Sequence, residues 1–428
     1  MLERTKKSFL TALWILIITF PLMGLKTVFT GEQAEVGIRA DAFYLAGVVF
    51  LCGMMWSMKG LIGRGIAFAV PPAKSCTGAI KTSVMKVPVW CWQVGILAML
   101  CAFPFMGSEA ELNKYFSFLI ETLIYVSLAL GLNIMVGMVG LLVLGYAAFF
   151  GIGAYTYAIL SLNFHVPFWP SLFIGGAIAG VIGILLGIPS IRLRGDYLAI
   201  VTLGFGEIVR FVLKNEAAVT GGEQGLPNQH IPGAIAAPSL GFMVLDREIH
   251  YYYIAIVIMV LVVFVVHRLN NSRTGRAWIA IREDETAAMS MGINTFRMKI
   301  LAFAISAFIA GFVGVFYAAR MNFVNPEAFR FEYSVLILSM VILGGMGSVP
   351  GVILGAVILQ VIPWLMRDMM PNLLREYFPS AANVAGTLTD FRLLIFGGIM
   401  VIMMIFRPQG IIGNARRKIE LGVEEERD

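Results

Sequence analysis

Long uncharged apolar runs alternate with short polar connections along nearly all of the chain. Residues 8–25, 42–58, 87–108, 166–191, 249–266, 300–319 and 393–406 contain no Asp, Glu, Lys or Arg. A bilayer core is crossed by about 20 mostly apolar residues in a helix, which satisfies its own backbone hydrogen bonds where no water can. Each run therefore reads as one crossing. The uncharged stretch 122–163 is long enough for two, with a turn near Gly137 to Gly140. Residues 333–366 are again of double length, broken by GGMGSVPG at 344–351, and read as two short helices or a re-entrant hairpin. Adding 197–213, which carries charge inside it, gives roughly ten to twelve crossings. The expected fold class is all-α, a polytopic transmembrane helical bundle. Residues 1–107 are expected to form an N-terminal membrane extension with two to three spans and a basic loop, and 108–428 the core.

Composition agrees, with 59% hydrophobic and 14% charged residues and a mean hydropathy of +0.83. The first run follows Arg4, Lys6 and Lys7, so a cleaved signal peptide competes with a retained helix. No small-residue cleavage site follows in KTVFTGEQAE, and a retained helix is expected. Lys and Arg collect in alternate loops: Arg4 to Lys7, Lys59 to Lys86, Arg192 and Arg194, Arg268 to Lys299, and Arg407 to Lys418. The intervening loops carry Glu32, Glu35 and Asp41, then Glu109 and Glu111, then Glu216, Glu223, Asp246 and Glu248. Positive loops resist translocation, which places both termini in the cytoplasm and gives an even number of crossings. The net charge of +6 follows from that bias. No basic stripe with interleaved aromatics points to nucleic acid.

The chain lacks GxxxxGK[ST], HExxH, GxSxG and a GxGxxG between strand and helix, so no catalytic, cofactor or metal site is expected. Cys52, Cys76, Cys91 and Cys101 have no metal-ligand spacing and read as small buried residues. His165, His230, His250 and His267 fall at helix ends or in loops.

Many of the 45 glycines lie inside spans, as in GGAIAGVIGILLG at 175–187 and AGFVG at 310–314. Small residues let helices approach closely in lipid. AGVIG at 179–183 is followed by Asp196-Tyr197 and a run ending in LGFGE; AGFVG is followed by Glu332-Tyr333 and a run ending in LGGMG. The charge-based topology makes these two helices antiparallel, as an inverted repeat requires. Polar groups within spans tend to face protein or a wet cavity. The candidates are Glu121, near the outer end of its helix, Asn133, able to bond across helices, and Glu207 with Arg210, three residues apart and on one helical face.

The basic loop between the spans at 249–266 and 300–319 stands out. From Gly275, GRAWIAIREDETAAMSMG reads as a helix with an apolar patch at Trp278, Ile279 and Ile281, ended by Gly292, after which Asn294 or Thr295 caps the next span. Glu285, Ala287 and Ala288, with Gly292 four residues on, resemble the EAA-xxx-G loop of ABC importer permeases, although Thr286 interrupts the motif. An amphipathic connector lying on the membrane is the alternative reading.

The wider chain carries a closer resemblance. GLNIMVGMVGLLVLGYAAFFGIGAY at 131–155, IRLRGDYLAIVTLGFGEIVR at 191–210, TGGEQGL at 220–226, GRAWIAIREDE at 275–285, VILGGMGS at 341–348 and FRPQGI at 406–411 are similar to the LivM-type permease family of high-affinity branched-chain amino-acid ABC transporters. The resemblance implies a bacterial inner-membrane subunit without enzymatic activity. Implied partners are a second, LivH-like permease, two ATPases of the LivG and LivF kind, and a periplasmic amino-acid-binding protein. The loop at Glu285, Ala287, Ala288 and Gly292 is then implied as the ATPase-docking segment, and Ala288→Arg is expected to abolish uptake while leaving membrane insertion intact. Related permeases make urea or short amides the alternative substrates. An ion-coupled secondary transporter would need a coupling site built from Glu121, Glu207 and Asn133.

Overall fold

The computed structural model describes residues 25–30, 33–38, 104, 109–190, 193, 195–227, 233–240, 243–245, 247–364, 397, 398 and 411. The chain divides into two units, Met1–Leu100 and Cys101–Asp428. In the first, strand β1 (Leu25–Thr30) pairs antiparallel with β2 (Gln33–Ile38), Leu25 opposite Ile38 and Thr30 opposite Gln33. The expected spans at 8–25, 42–58, 87–108 and 393–406 and the basic loop at 59–86 lie, isolated residues apart, outside the described residues.

The second unit is helical. Helix α1 (Glu109–Asn133) passes into a π-helical turn, Ile134–Val139, and then into α2 (Tyr146–Phe164), α3 (Phe168–Ser190), α4 (Asp196–Asn215) and the single turn α5 (Ala217–Thr220). A two-residue ladder of β3 (Ser239–Leu240) and β4 (Met243–Val244) precedes α6 (Glu248–Asn270). There follow α7 (Arg273–Glu283), α8 (Glu285–Ser290), α9 (Thr295–Met321), α10 (Phe331–Gly344) and α11 (Val349–Trp364). Among the described residues five helices are long and apolar enough to cross a membrane: Tyr115–Val139, Tyr146–Phe164, Phe168–Pro189, Glu248–Asn270 and Thr295–Met321.

The two double-length runs resolve differently. Residues 122–163 do hold two crossings, and the chain turns at Gly140, whose φ is +80°. In the second run the described residues form a pair of short helices, Phe331–Gly344 and Val349–Trp364, joined through Gly345 and Gly347, both with positive φ. At about 1.5 Å per residue α10 and α11 are roughly 21 and 24 Å long, short of a bilayer core of about 30 Å.

Packing centres on α9, held between α2 and α3 through backbone contacts that only small residues allow. A Cβ at Gly153 would collide with Gly311 O, one at Gly314 with Phe150 O, and one at Gly183 would come 2.6 Å from Ala307 Cβ. Gly311 faces Gly175 and Ala179, while Gly183 and Gly187 face Ala307 and Phe303, so α3 and α9 run antiparallel through the two AGxxG segments. That is the relation expected of them from the sequence.

The connections gather at two ends. At one, the π turn meets α7 and the 345–348 loop: Arg282 Nη1 donates to Gly137 O at 2.6 Å and Gly347 N to Asn133 Oδ1 at 2.8 Å. At the other, Trp169 Nε1 donates to Ser239 O at 2.8 Å, Leu226 and Val324 exchange backbone hydrogen bonds at 2.8 Å, and Arg320 pairs with Glu248 at 3.6 Å. Inside the bundle, α2 begins against neighbouring helices, its leading amides taken by side chains: Leu144 N by Thr202 Oγ1 at 3.0 Å and Ala147 N by Ser334 Oγ at 2.9 Å.

Because the α2–α9 contact has no room for a side chain, Gly153→Val should destabilise the bundle by about 1–3 kcal/mol or more. Detergent-solubilised protein should lose its monodisperse peak at a lower temperature than a Gly204→Val control, whose site has open space around it.

Candidate functional site

The segment from 271 to 299 is short, polar and unusually well fastened. Ser272 opens α7, its Oγ accepting from Gly275 N at 3.1 Å. Gly275 is required there, because a Cβ would run into Leu269 O. Trp278 is fully buried and donates from Nε1 to Met298 O at 2.8 Å, tying α7 to the first turn of α9. Ile281 is buried beside it. Arg282, one position on, reaches the opposite way to Gly137 O.

The single helix expected from Gly275 to Gly292 is in fact two. Asp284 leaves helical geometry (φ −153°, ψ 112°) and becomes an N-cap, its Oδ1 accepting from Thr286 N at 2.7 Å and Ala287 N at 2.9 Å. Asp competes with the backbone for these amides, and here it wins against the continuing helical periodicity. The second helix, α8, closes in a Schellman motif: Ile293 N donates to Ala288 O and Gly292 N to Met289 O, each at 3.0 Å. Gly292 has φ +84°, which an L side chain adopts only under strain. Asn294 then caps α9 through Oδ1 to Arg297 N at 3.0 Å.

The four residues expected to form a docking segment have different surroundings. Glu285 pairs with Lys299 at 2.6 Å, and Lys299 is buried in the first turns of α9. Ala288 is buried beneath α8, whereas Ala287 points outward. Ala288→Arg, expected from the sequence to spare insertion, would therefore strike the packing of the loop itself. Its exposed positions include a group of apolar residues, Ala287, Met289, Met291 and Phe296, set among Thr286, Ser290 and Arg297, with Met291 82% exposed.

The loop holds the bundle at the π turn. Arg282 holds Gly137 O inside the π turn, where the regular i to i−4 ladder is interrupted. On the same turn Asn133, fully buried, accepts from Gly347 N of the α10–α11 connection. A Cβ at Gly137 would collide with Asn133 Oδ1 and Gly347 N, so the Gly137 and Gly347 backbones meet directly beside the Asn133 side chain. Leu343 O next to it accepts from Ile411 N at 2.9 Å. One strut thus runs from α7 through the π turn to the α10–α11 hairpin.

The remaining polar candidates lie elsewhere. Glu207 and Arg210 pair at 2.8 Å as their spacing predicts, and Arg210 also meets Glu327 at 3.4 Å, which in turn sits against Arg330 Nε. Glu121, halfway along α1, is exposed and belongs to neither cluster. Sequence reading missed Arg282, Asp284, Lys299, Glu327 and Arg330. Asp284 before Glu285-Thr286 carried an N-cap signal, but nothing local indicates that Arg282 reaches a residue 145 positions away. Among the described residues no His, Cys, Asp and Glu are grouped as metal ligands.

Loss of the Asp284 cap should loosen α8 by about 1 kcal/mol, and Gly292→Ala should cost about 1–2 kcal/mol through its backbone. Hydrogen exchange at the Thr286 and Ala287 amides is expected to accelerate in Asp284→Ala, leaving α9 protected.

Comparison with known proteins follows from these features. A family model described as branched-chain amino acid transport system / permease component matches residues 114–404. The high-affinity branched-chain amino acid transport system permease protein LivM of Escherichia coli (strain K12) is 38% identical over 436 residues, covering 97% of this chain and 96% of that protein. Its counterpart in Salmonella typhimurium is 37% identical over 433 residues, 96% of this chain and 95% of the other. The LivH permease protein of E. coli K12 is 28% identical over 145 residues, 34% of this chain and 41% of that protein. No solved structure matches significantly.

Proposed function

The chain belongs to the permease component family of branched-chain amino acid transport systems, and from that premise we propose that it forms one half of the translocation pathway of an ATP-driven importer of leucine, isoleucine and valine. A LivH-like permease supplies the other half, two LivG- and LivF-like ATPases hydrolyse ATP, and a periplasmic binding protein delivers the amino acid. This subunit does no chemistry of its own; it is a polytopic membrane protein that converts ATPase motion into a change of access. Residues 108–428 carry that task and 1–107 form an extension to it. The loop at 271–299 lies on the cytoplasmic side, together with both termini.

The observation that supports this reading best is the rigid, doubly capped loop with an apolar crest. A docking element must pass force without deforming, and α8 is fixed by Asp284, by the Glu285–Lys299 pair and by its Schellman close. Ala287, Met289, Met291 and Phe296 form the contact with an ATPase groove. Movement of α7 then pulls through Arg282 on the π turn and the α10–α11 hairpin, two interrupted elements able to rearrange where an unbroken helix cannot.

Two substitutions separate docking from transmission. Met291→Glu places a charge in the apolar crest, and at the same membrane level of the subunit about ten-fold less ATPase should co-purify. Arg282→Met should retain the ATPases yet lose uptake, measured as accumulation of labelled leucine. Uptake unchanged in both variants would rule out this route of coupling.

A further inference from the structure

Helix α4 is built unlike the other long helices. At 3.6 residues per turn, Asp196, Leu203, Glu207, Arg210 and Lys214 fall in a sector about 60° wide that runs its full length. On one side of this stripe lies the buried face of Leu198, Ala199, Thr202 and Leu213. On the other is an exposed apolar face of Tyr197, Ile200, Val201, Ile208, Phe211 and Val212. Glu207 and Arg210 stand about 16 and 21 Å along the helix from Asp196, inside a bilayer core of about 30 Å. Their ion network continues onto Glu327 and Arg330, and the four side chains are 39%, 26%, 36% and 51% exposed in this chain. Ionised groups so open at that depth do not face lipid; they face water or protein. The apolar face alone suits lipid or a neighbouring helix. The flank of α4 also abuts the break between α1 and α2, where Gly145 and Gly206 touch and Thr202 Oγ1 takes Leu144 N. Interrupted helices border solute pathways in transporters.

We infer that Leu203, Glu207, Arg210, Glu327 and Arg330 line the outward half of the pathway, and that the Arg210–Glu327 contact opens to take the zwitterionic head of an amino acid. The inference rests on the transport reading above. Network and solute are each electrically neutral, so exchange leaves no charge unpaired. Arg210 already has a carboxylate at 2.8 Å and a second, looser one at 3.4 Å. The solute's carboxylate replaces Glu327 on Nη1, keeping the charge-assisted bond, and its ammonium lies between the carboxylates of Glu207 and Glu327. The aliphatic side chain meets Leu203. A pathway of this kind holds the head group loosely and suits any neutral amino acid, with choice among them made before entry.

The test uses the complete transporter in right-side-out vesicles, with Cys52, Cys76, Cys91 and Cys101 replaced by Ser. A membrane-impermeant methanethiosulfonate should modify Leu203→Cys at least about ten times faster than Ile208→Cys, with leucine-loaded binding protein and ATP slowing the first. Equal or reversed rates would overturn the lining assignment. The pair Glu207→Gln/Arg210→Gln removes both charges together and leaves Glu327 with Arg330. If the network only stabilises the fold, this balanced variant should transport normally, and that result would refute the head-group role. The expected result is leucine uptake at least about ten-fold lower with the partner subunits still co-purifying. Should the balanced variant fail to assemble, the labelling contrast alone decides. Wild-type vesicles that take up no leucine would refute the transport reading instead, whereas the labelling contrast stands apart from it.

Discussion

In a solvent that offers no hydrogen bonds, any interruption of a helix must be repaired by another part of the same protein. Where this chain interrupts its helices, each repair reaches across the fold. The amides ahead of α2 are satisfied from α4 and α10, by Thr202 and Ser334. The loosened carbonyl of Gly137 is satisfied by Arg282, and the turn at Gly347 by Asn133. Broken backbone is thereby confined to places where distant elements already meet, and these junctions tie the helices into one mechanical unit.

The rigid part of the bundle has a different origin. Around α9 stability comes from small residues that bring helix backbones into contact, because apolar side chains gain nothing by leaving lipid for each other. Gly153, Gly175, Gly183, Gly311 and Gly314 form that seam. Such a seam slides poorly, since any shift brings a side chain against a backbone. The α2–α3–α9 group is therefore a firm block. The short α10–α11 hairpin and the π turn lie beside it, the hairpin joined to the block through Ser334 and Ala147 N and to the π turn through Gly347 N and Asn133. A rigid block with a hinged hairpin, both in contact with one loop, is an arrangement in which a push from outside the membrane changes the shape inside it.

Loop construction follows the same logic. The Glu285 carboxylate holds the buried Lys299. The adjacent alanines divide the work, Ala287 outward and Ala288 inward. This division follows from the helix restart at Asp284: once α8 begins anew, positions 285 and 288 turn toward the protein and 287, 289 and 291 away from it. A motif of small residues is thus both a fastening and a contact surface.

The sequence by itself determined the solvent, the fold class, the turn inside 122–163, the break in the apolar run after 333, the antiparallel relation of the two AGxxG helices and the pairing of Glu207 with Arg210. All of these depend on local composition, periodicity or the distribution of charge, which act over a few turns of helix or along the membrane normal. Only the tertiary structure decided that Arg282 holds Gly137, that Asn133 holds Gly347, that Glu285 is committed to Lys299 and that Glu327 joins the Arg210 pair. Those contacts link residues from 14 to 214 positions apart, and hydropathy leaves the rotation of each helix about its axis undetermined. That rotation is fixed by which glycines can come into contact and which orphaned polar groups can find one another once the bundle has closed.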